Sequence, residues 1–244
     1  MAHHTTELSL SFQTDPEAAF AAYQQLGYHI EPDLFSSKQC DELIAASRSL
    51  PSYVDSTLVP VMNPHKLEPV FLSALRHPPL VGIMERILGG PVSGLQTQFF
   101  FCRPGTPGFT KHQDNFYVRS KPDTFASAWI ALEDVSAANG GLTIYPGSHR
   151  EPILPTEVVE QPDNIGQDPN ANRQQVILPP FYAAVDICLP KGAVVLIHGH
   201  VVHQSHQNST RDRFRHALLM LYLRQGEPFR PGFSAGRAEI EVYG

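Results

Sequence analysis

Five strand-like runs, all beyond residue 90, are the feature that most constrains the fold of this chain. Each has the length of a β-strand and is bounded by glycine, proline or polar residues. They span residues 95–102, 126–132, 142–145, 193–197 and 217–223. The chain also contains 22 prolines and 17 glycines, which favour short strands joined by turns over long helices. The sequence therefore predicts a β-rich α+β domain.

The first ninety residues show a helical pattern instead. Asp15, followed by a proline, predicts the start of a helix, and Gly27 predicts its end, because these residue types favour the capping and stop positions. Similar signals predict two further helices, at about residues 36–50 and 78–88, and a brief strand at residues 28–30. We therefore expect a helical layer that precedes the sheet in the chain.

The length of 244 residues suits one domain around one substantial core. We expect a single domain over residues 1–244, with a helical flank over residues 1–90. The Asn-Gly-Gly triplet at 139–141 predicts a hairpin or tight loop, because these residues tolerate positive φ. Residues 151–178 are polar and interrupted by prolines, which predicts a long loop and a candidate lid.

Composition and charge narrow the class of partner. The formal net charge is −6 and the chain has no basic block, which argues against nucleic acid or an anionic membrane surface and leaves a small-molecule substrate. Three cysteines without metal-type or redox-type spacing predict reduced thiols, as in the cytoplasm. The first ten residues have no long apolar run, so we expect neither a signal peptide nor a membrane span there.

The sequence His112-Gln113-Asp114, with His203 far downstream, has the composition of a metal site. Because side chains alternate along an extended strand, His112 and Asp114 would face the same side and could bind one ion. His203 would complete the site from another strand. Two histidines and one carboxylate leave half the coordination sphere of ferrous iron open, as needed for a bidentate cosubstrate and oxygen. This pattern predicts catalytic His112, Asp114 and His203 and oxidation chemistry.

Several motifs in the same order resemble the phytanoyl-CoA dioxygenase family of iron and 2-oxoglutarate enzymes, over about residues 91–223. They are the HQD of residues 112–114, Trp129, the NGGLTIYPGSH run of residues 139–149, the H-x-S-x-x-N pattern beginning at His203, and an arginine at the start of the next strand. The resemblance implies a double-stranded β-helix (jelly-roll, cupin-like) core and the cofactors Fe(II), 2-oxoglutarate and O2. It also implies hydroxylation of an unactivated carbon of a small molecule, with release of succinate and CO2.

The choice of the third metal ligand rests on this resemblance, because four histidines lie close together: His198, His200, His203 and His206. His203 precedes Ser205 and Asn208 at the spacing of the family, whereas His198 matches a family position that does not bind metal. His203 is therefore preferred, with His198 and His206 as alternatives.

The resemblance also implies a cosubstrate site. Arg215 is expected to bind the far carboxylate of 2-oxoglutarate, because a guanidinium can donate two parallel hydrogen bonds to a carboxylate. Arg213 lies on the same face of the strand and remains an alternative. Ser205, Trp129 and Gln98 are further candidates for contact with the cosubstrate.

Two other functions remain open from the sequence. A β-barrel of this kind can be a non-catalytic, cupin-like protein that binds a small ligand. It can also be an iron dioxygenase that does not use 2-oxoglutarate. Asp114 favours hydroxylation or a related oxidation, because a small residue replaces this carboxylate in halogenating relatives. The sequence shows no basic cluster suited to the phosphates of coenzyme A, which favours a free small molecule.

Overall fold

Two antiparallel sheets of unequal size form the centre of the computed structural model, which describes residues 10–160 and 173–243. The helices are α1 (Pro16–Leu26), α2 (Ser37–Ser47), α3 (Pro51–Val54), α4 (Pro69–Leu75), α5 (Pro78–Leu88) and α6 (Asn115–Val118). The strands are β1 (Tyr28–Glu31), β2 (Val61–Met62), β3 (Val92–Cys102), β4 (Phe125–Ala131), β5 (Leu142–Ile144), β6 (Thr156–Val158), β7 (Gln174–Val176), β8 (Val185–Asp186), β9 (Val194–His198), β10 (His203–Ser205) and β11 (Arg215–Arg224).

The larger sheet has six strands in the order β1-β9-β4-β11-β3-β2, and the smaller sheet has three in the order β10-β5-β8. Strands β6 and β7 form a separate pair. Strands that follow one another in the chain are mostly not neighbours in a sheet. For example, β11 separates β3 from β4 in the larger sheet, and β5 lies in the smaller sheet. This arrangement is typical of a double-stranded β-helix. The predicted β-rich fold with N-terminal helices is therefore confirmed.

Local sequence signals account for the first helices. The Asp15 side chain accepts a hydrogen bond from the N–H of Ala18 at 3.1 Å, and Gly27 ends α1 in the left-handed conformation with φ 79°. Ser36 and Gln39 form a capping box at the start of α2. The predicted second helix is shorter than expected, because the proline at position 51 cannot continue an α-helix and begins α3 instead.

Helices α3, α4 and α6 were not predicted, and α4 is the longest of the three. It has no side-chain cap, so it lacks the usual start signal, and its stability comes from burial of Phe71 and Leu75 against the larger sheet. The ring of Phe71 packs edge-on against Phe99 of β3, with centroids 5.5 Å apart. Helix α5 covers strands β3, β4 and β11 with its apolar face. The helical layer thus closes one face of the larger sheet.

The other face of the larger sheet meets the smaller sheet. Side chains of β4, β9 and β11, including Trp129 and Ile197, pack there against Leu142 and Ile144 of β5. Toward one end of this interior the apolar packing gives way to a cavity. This arrangement places the ends of β4, β10 and β11 around a common space.

The Asn-Gly-Gly triplet forms a tight loop and not a hairpin, because β4 and β5 belong to different sheets. Gly140 has φ 94°, and a Cβ at this position would lie 2.8 Å from the sulfur of Cys102.

The candidate lid of residues 151–178 is partly outside the described residues, which end at 160 and resume at 173. Its described ends contain the paired strands β6 and β7. The N–H of Val176 donates to the carbonyl of Lys111 at 2.9 Å, and the hydroxyl of Thr110 donates to the carbonyl of Gln174 at 2.7 Å. The pair is therefore attached to the segment that leads into His112, and its role as a lid stays a prediction.

Two further expectations concern the whole chain. Cys40 and Cys102 are buried and Cys188 is exposed, and all three are free thiols. Across residues 10–160 and 173–243, no helix has the length and apolar character needed to cross a membrane.

Replacement of Gly94 by alanine is expected to lower the free energy of unfolding by about 1–3 kcal/mol, because it adds volume to a packed core. A Cβ on Gly94 would lie 2.6 Å from Leu75, which is fully buried in α4. The matched control is Gly82→Ala in α5, where a Cβ meets no atom within 4 Å. This change should stabilise the helix by up to about 1 kcal/mol. Equal effects of both variants in denaturant unfolding would contradict the packing described here.

Candidate active site

Three potential metal ligands converge at the end of the cavity. His112 Nε2 lies 3.6 Å from Asp114 Oδ1, and His203 Nε2 lies 3.8 Å from the same oxygen. One donor atom from each residue lies within 4.8 Å of the other two. Across the part of the chain that the structure describes, this is the one cluster of three such residues. A single transition-metal ion fits between donors arranged in this way.

The backbone at this motif differs from the expected extended strand. His112 forms an isolated β-bridge with His203, but Asp114 has helical dihedral angles and directly precedes α6. The chain therefore turns from extended to helical between the two ligands. Alternation along a strand is not the reason why the side chains of His112 and Asp114 converge; the turn into α6 brings them together.

Backbone carbonyls fix the orientation of both imidazoles. His112 Nδ1 donates to the carbonyl of Thr110 at 2.7 Å, and His203 Nδ1 donates to the carbonyl of Val201 at 3.2 Å. Each bond places the proton on Nδ1 and leaves the lone pair of Nε2 facing the shared point. Burial and, to a smaller extent, the nearby His203 lower the pKa of His112 to about 4, although Asp114 acts in the opposite direction. His112 is therefore neutral near pH 7, which is the form that binds metals.

Asp114 is oriented by a residue that no motif identified. The hydroxyl of Ser127 donates to Asp114 Oδ2 at 2.6 Å, which leaves Oδ1 facing the two histidines. Ser127 lies in the middle of β4 and is fully buried. The sequence does contain one signal for Ser127. It is a lone hydroxyl residue within an apolar strand, and a buried hydroxyl needs a hydrogen-bond partner.

Gln113 points away from the cavity and anchors the motif. Its Nε2 donates to the carbonyls of His200 at 2.7 Å and Pro152 at 3.1 Å, and its Oε1 accepts the N–H of Leu154 at 2.8 Å. The side chain is fully buried. Gln113 thus ties the ligand loop to two other segments at once.

The other three histidines of the downstream motif have partners outside the ligand cluster. His198 accepts the N–H of His200 at Nδ1 and contacts Asp123 through Nε2 at 2.8 Å. His200 Nε2 lies 2.9 Å from the amide nitrogen of Asn115. His206 Nε2 lies 2.7 Å from Asp186. Of the four histidines, only His203 faces His112 and Asp114.

Arg215 begins β11 and has a buried guanidinium, with only 2% of the residue exposed. It lies over the rings of Trp129 and Phe100, at 5.4 and 5.8 Å from their centroids. Its Nε has no hydrogen-bond partner, and no carboxylate of the described residues pairs with it. Arg213, the alternative, is exposed. A buried cation without a partner is costly, so Arg215 is suited to an anionic ligand.

The predicted site residues line one cavity of about 540 Å³, which includes His112, Asp114, His203, Arg215, Ser205, Trp129 and Gln98. The Ser205 hydroxyl accepts the N–H of Phe109 at 2.8 Å, so its own proton remains available to a ligand. Gln98 lies half-exposed on β3, and Phe116 and Tyr117 of α6 complete an aromatic wall.

The cavity has one further wall that the sequence analysis did not predict. The segment after β11 returns across the sheet and contributes Arg230, Phe233 and Arg237 to the lining. Burial and the nearby Arg230 lower the pKa of Arg237, whereas Asp114 raises it. No motif marks these residues, which lie more than a hundred positions after His112 and Asp114 and about 30 positions after His203.

Comparison with known proteins decides the family. A sequence model of the phytanoyl-CoA dioxygenase (PhyH) family matches residues 23–217, most of the chain. The chain belongs to the phytanoyl-CoA dioxygenase family. The resemblance predicted from the motifs is therefore confirmed, and Fe(II), 2-oxoglutarate and O2, the predicted cofactors, are the set that this family uses.

Curated relatives match only part of their length. The chain is 34% identical over 161 residues to phytanoyl-CoA dioxygenase domain-containing protein 1 of Danio rerio, covering 62% of the chain and 52% of that protein. It is 31% identical over 126 residues to phytanoyl-CoA dioxygenase of Arabidopsis thaliana, covering 51% and 42%. The chain thus spans about half the length of these relatives.

Solved structures share the fold. The epimerase SnoN, in complex with Fe3+, alpha ketoglutarate and nogalamycin RO, is 21% identical with a TM-score of 0.73, covering 89% of this chain and 87% of its own. The carbocyclase SnoK from nogalamycin biosynthesis is 21% identical with a TM-score of 0.72, covering 93% and 91%. At this level of identity the likeness shows the architecture alone.

The neutral state of His198 predicts a pH dependence of stability. Burial lowers its pKa to about 4 from an ordinary value of 6.5. Between these values the unfolded chain binds a proton that the folded protein does not, so the free energy of unfolding falls as the pH falls from 6.5 to about 4. His198→Asn, whose amide oxygen can still accept the N–H of His200, should reduce this slope in denaturant unfolding. An unchanged slope would show that His198 is not buried in its neutral form.

Proposed function

We propose that this protein is an Fe(II)- and 2-oxoglutarate-dependent dioxygenase that hydroxylates an unactivated carbon of a small-molecule substrate. The observation that carries the proposal is the position of the three ligands and Arg215 on one cavity. Family membership supports the same chemistry. The three free cysteines and the composition support a cytoplasmic location.

His112, Asp114 and His203 would hold the iron, and a set of three protein ligands leaves the remaining positions to the cosubstrate and O2. When bound, ferrous iron would activate O2, which oxidises 2-oxoglutarate to succinate and CO2 and the substrate to its hydroxylated product. The protein residues orient the reactants. The carbonyls of Thr110 and Val201 and the hydroxyl of Ser127 keep the donor atoms in place.

Arg215 would bind the far carboxylate of 2-oxoglutarate. Its guanidinium is buried against Trp129 and Phe100, where an ion pair is weakly screened by solvent. Ser205 and Gln98 line the same cavity and can donate further hydrogen bonds. Fixing one end of the cosubstrate restricts the orientation of its other end toward the ligand cluster, which is how this site would position it.

Hydroxylation is the outcome that the ligand set favours. SnoN is described as an epimerase and SnoK as a carbocyclase, so proteins of this fold differ in the product that they form. Asp114 supports hydroxylation, because the family resemblance implies that a small residue replaces this carboxylate in halogenating relatives.

The first test compares the binding of Fe(II) and 2-oxoglutarate without oxygen, and then succinate release in air, in matched variants. His112→Ala and Asp114→Ala should weaken metal binding by more than about 100-fold, because each removes a ligand. Arg215→Gln should weaken 2-oxoglutarate binding by about 10- to 100-fold. Trp129 is the only tryptophan, so its fluorescence reports cosubstrate binding.

The controls for this test are His206→Ala and Arg213→Gln, which change the same residue types outside the cluster. Both should bind iron and 2-oxoglutarate as the unmodified protein does. Metal loss in His206→Ala, or normal 2-oxoglutarate binding in Arg215→Gln, would refute the assigned roles. Binding of 2-oxoglutarate without its consumption in air would indicate a binding protein and not an enzyme.

Ser127→Ala should weaken Fe(II) binding by about 10-fold or more while leaving the fold intact, because it removes a hydrogen bond that orients a ligand. The matched control is Ser93→Ala, another buried strand serine, whose hydroxyl donates to Glu239 at 2.8 Å. Calorimetric titration with Mn(II), which does not oxidise, measures both variants. If the two serines have the same effect on metal affinity, Ser127 does not position Asp114.

A further inference from the structure

We infer that Arg237 and Arg230 form the substrate-recognition site of this cavity and select a small organic acid, whose carboxylate binds these guanidinium groups while its apolar body fills the aromatic part. This inference rests on the proposed function, because it assigns to the substrate the part of the cavity that iron and 2-oxoglutarate would not occupy.

The segment that carries these arginines is held firmly to the rest of the protein. The N–H of Arg230 donates to the carbonyl of Val118 in α6 at 2.6 Å, and the amide of Asn63 donates to the carbonyl of Ala235 at 2.8 Å. Ile240 pairs with Gly94 of β3 through two backbone hydrogen bonds of 2.8 and 2.9 Å. The segment is therefore a fixed part of the cavity wall.

The guanidinium of Arg237 has unused hydrogen-bonding capacity. Its Nη1 donates to the carbonyls of Tyr117 at 3.2 Å and Arg230 at 3.3 Å, while its Nε is buried without a partner. Neither Arg237 nor Arg230 forms an ion pair with any carboxylate of residues 10–160 or 173–243. A buried N–H without an acceptor costs free energy that a bound carboxylate would recover.

Charge balance points to the sign of the substrate. Among the described residues that line the cavity, Asp114 is the only acidic one, against three arginines. In the proposed complex, the two charges of Fe(II) and the charge of Arg215 are neutralised by Asp114 and the two carboxylates of 2-oxoglutarate. Arg237, which is half-buried, and Arg230, which is exposed, then remain without counter-charge from the described residues, which favours an anionic substrate.

The position of Arg237 favours a carboxylate over the phosphates of coenzyme A. Arg237 Nη1 donates to the carbonyl of Tyr117 at 3.2 Å, in the helix that directly follows Asp114, and the ring of Tyr117 lies 6.3 Å from that of His112. The anionic group that Arg237 binds therefore lies near the metal ligands. In an acyl-CoA the phosphates are separated from the acyl carbons by the long pantetheine arm. The nearby walls contain Phe116, Tyr117 and Leu221, which suit an apolar body.

The family match leaves these two arginines unassigned. It ends at residue 217, before the segment that contains Arg230 and Arg237, whereas it includes all three ligands and Arg215. The residues proposed for the shared chemistry and those proposed for substrate choice thus come from different parts of the chain.

The test measures binding to the protein loaded with Fe(II) and 2-oxoglutarate in the absence of oxygen. The probes are straight-chain carboxylates from butanoate to decanoate and phenylacetate, each beside its uncharged amide, together with octanoyl-CoA and inorganic phosphate. Trp129 fluorescence reports binding. The best carboxylate should bind at least about 10-fold more tightly than its amide.

Arg237→Gln should remove this preference, and Arg237→Lys should retain part of it because the charge remains without the planar fork. Arg230→Gln should weaken carboxylate binding, while Arg213→Gln, an exposed arginine outside the cavity, should not. Unchanged 2-oxoglutarate binding in Arg237→Gln and Arg237→Lys shows that both variants are folded.

Four results would overturn the inference: amides that bind as tightly as carboxylates, carboxylate binding that is unaffected in Arg237→Gln, octanoyl-CoA or phosphate binding more tightly than every carboxylate, and no binding by any probe. The visible charge-transfer absorption of Fe(II) chelated by 2-oxoglutarate separates the two proposals. If it is absent from the unmodified protein, the proposed function fails. If it is present while the carboxylates do not bind, only the substrate assignment fails.

Discussion

The backbone pair between His112 and His203 is the contact on which the site depends. The N–H of His112 donates to the carbonyl of His203 at 2.9 Å, and the reverse bond measures 3.1 Å. This pair joins the loop after β3 to strand β10 of the smaller sheet, so it brings together residues 91 positions apart in sequence. The centroids of the two imidazole rings consequently lie 4.2 Å apart, so the backbone pair sets the geometry of these ligands.

Around this pair, buried polar groups hold the ligands in a mainly apolar interior. Gln113 forms hydrogen bonds with three backbone groups, and the Ser127 hydroxyl donates to Asp114 Oδ2, the oxygen that does not face the histidines. Such groups are stabilising only when all their hydrogen bonds are made, so they tolerate few substitutions. Some buried polar atoms have no partner, and they include Tyr23 Oη and Ser52 Oγ outside the cavity. Those of Arg215, Arg237 and Gln96 line the cavity, where the proposed ligands would bind.

Sequence reasoning predicted the elements that have local signals. The caps at Asp15 and Gly27 determine α1, and the apolar runs gave the main strands within a few residues. It did not predict α4, whose stability depends on packing against the sheet, or the helical turn after Asp114. The pairing of strands from distant parts of the chain has no local signal, so the division into two sheets came from the family resemblance.

The candidate site shows the same limit. The spacing of the motif singled out His112, Asp114 and His203, because metal ligands are few and chemically distinctive. Ser127 and Arg237 act through neighbours that only the folded chain supplies, so their residue types alone were uninformative. A net charge of −6 also concealed the local excess of positive charge inside the cavity.

The wall after β11 has a consequence for how enzymes of this type diverge. Backbone hydrogen bonds at Gly94 and Val118 attach it, together with side-chain bonds of Glu239 and Tyr243. The backbone bonds do not depend on side-chain identity, so substitutions at Arg230 or Phe233 can alter the lining of the cavity while leaving His112, Asp114 and His203 in place. New selectivities can therefore arise by drift in one short peripheral stretch, while the inherited oxidation machinery is kept.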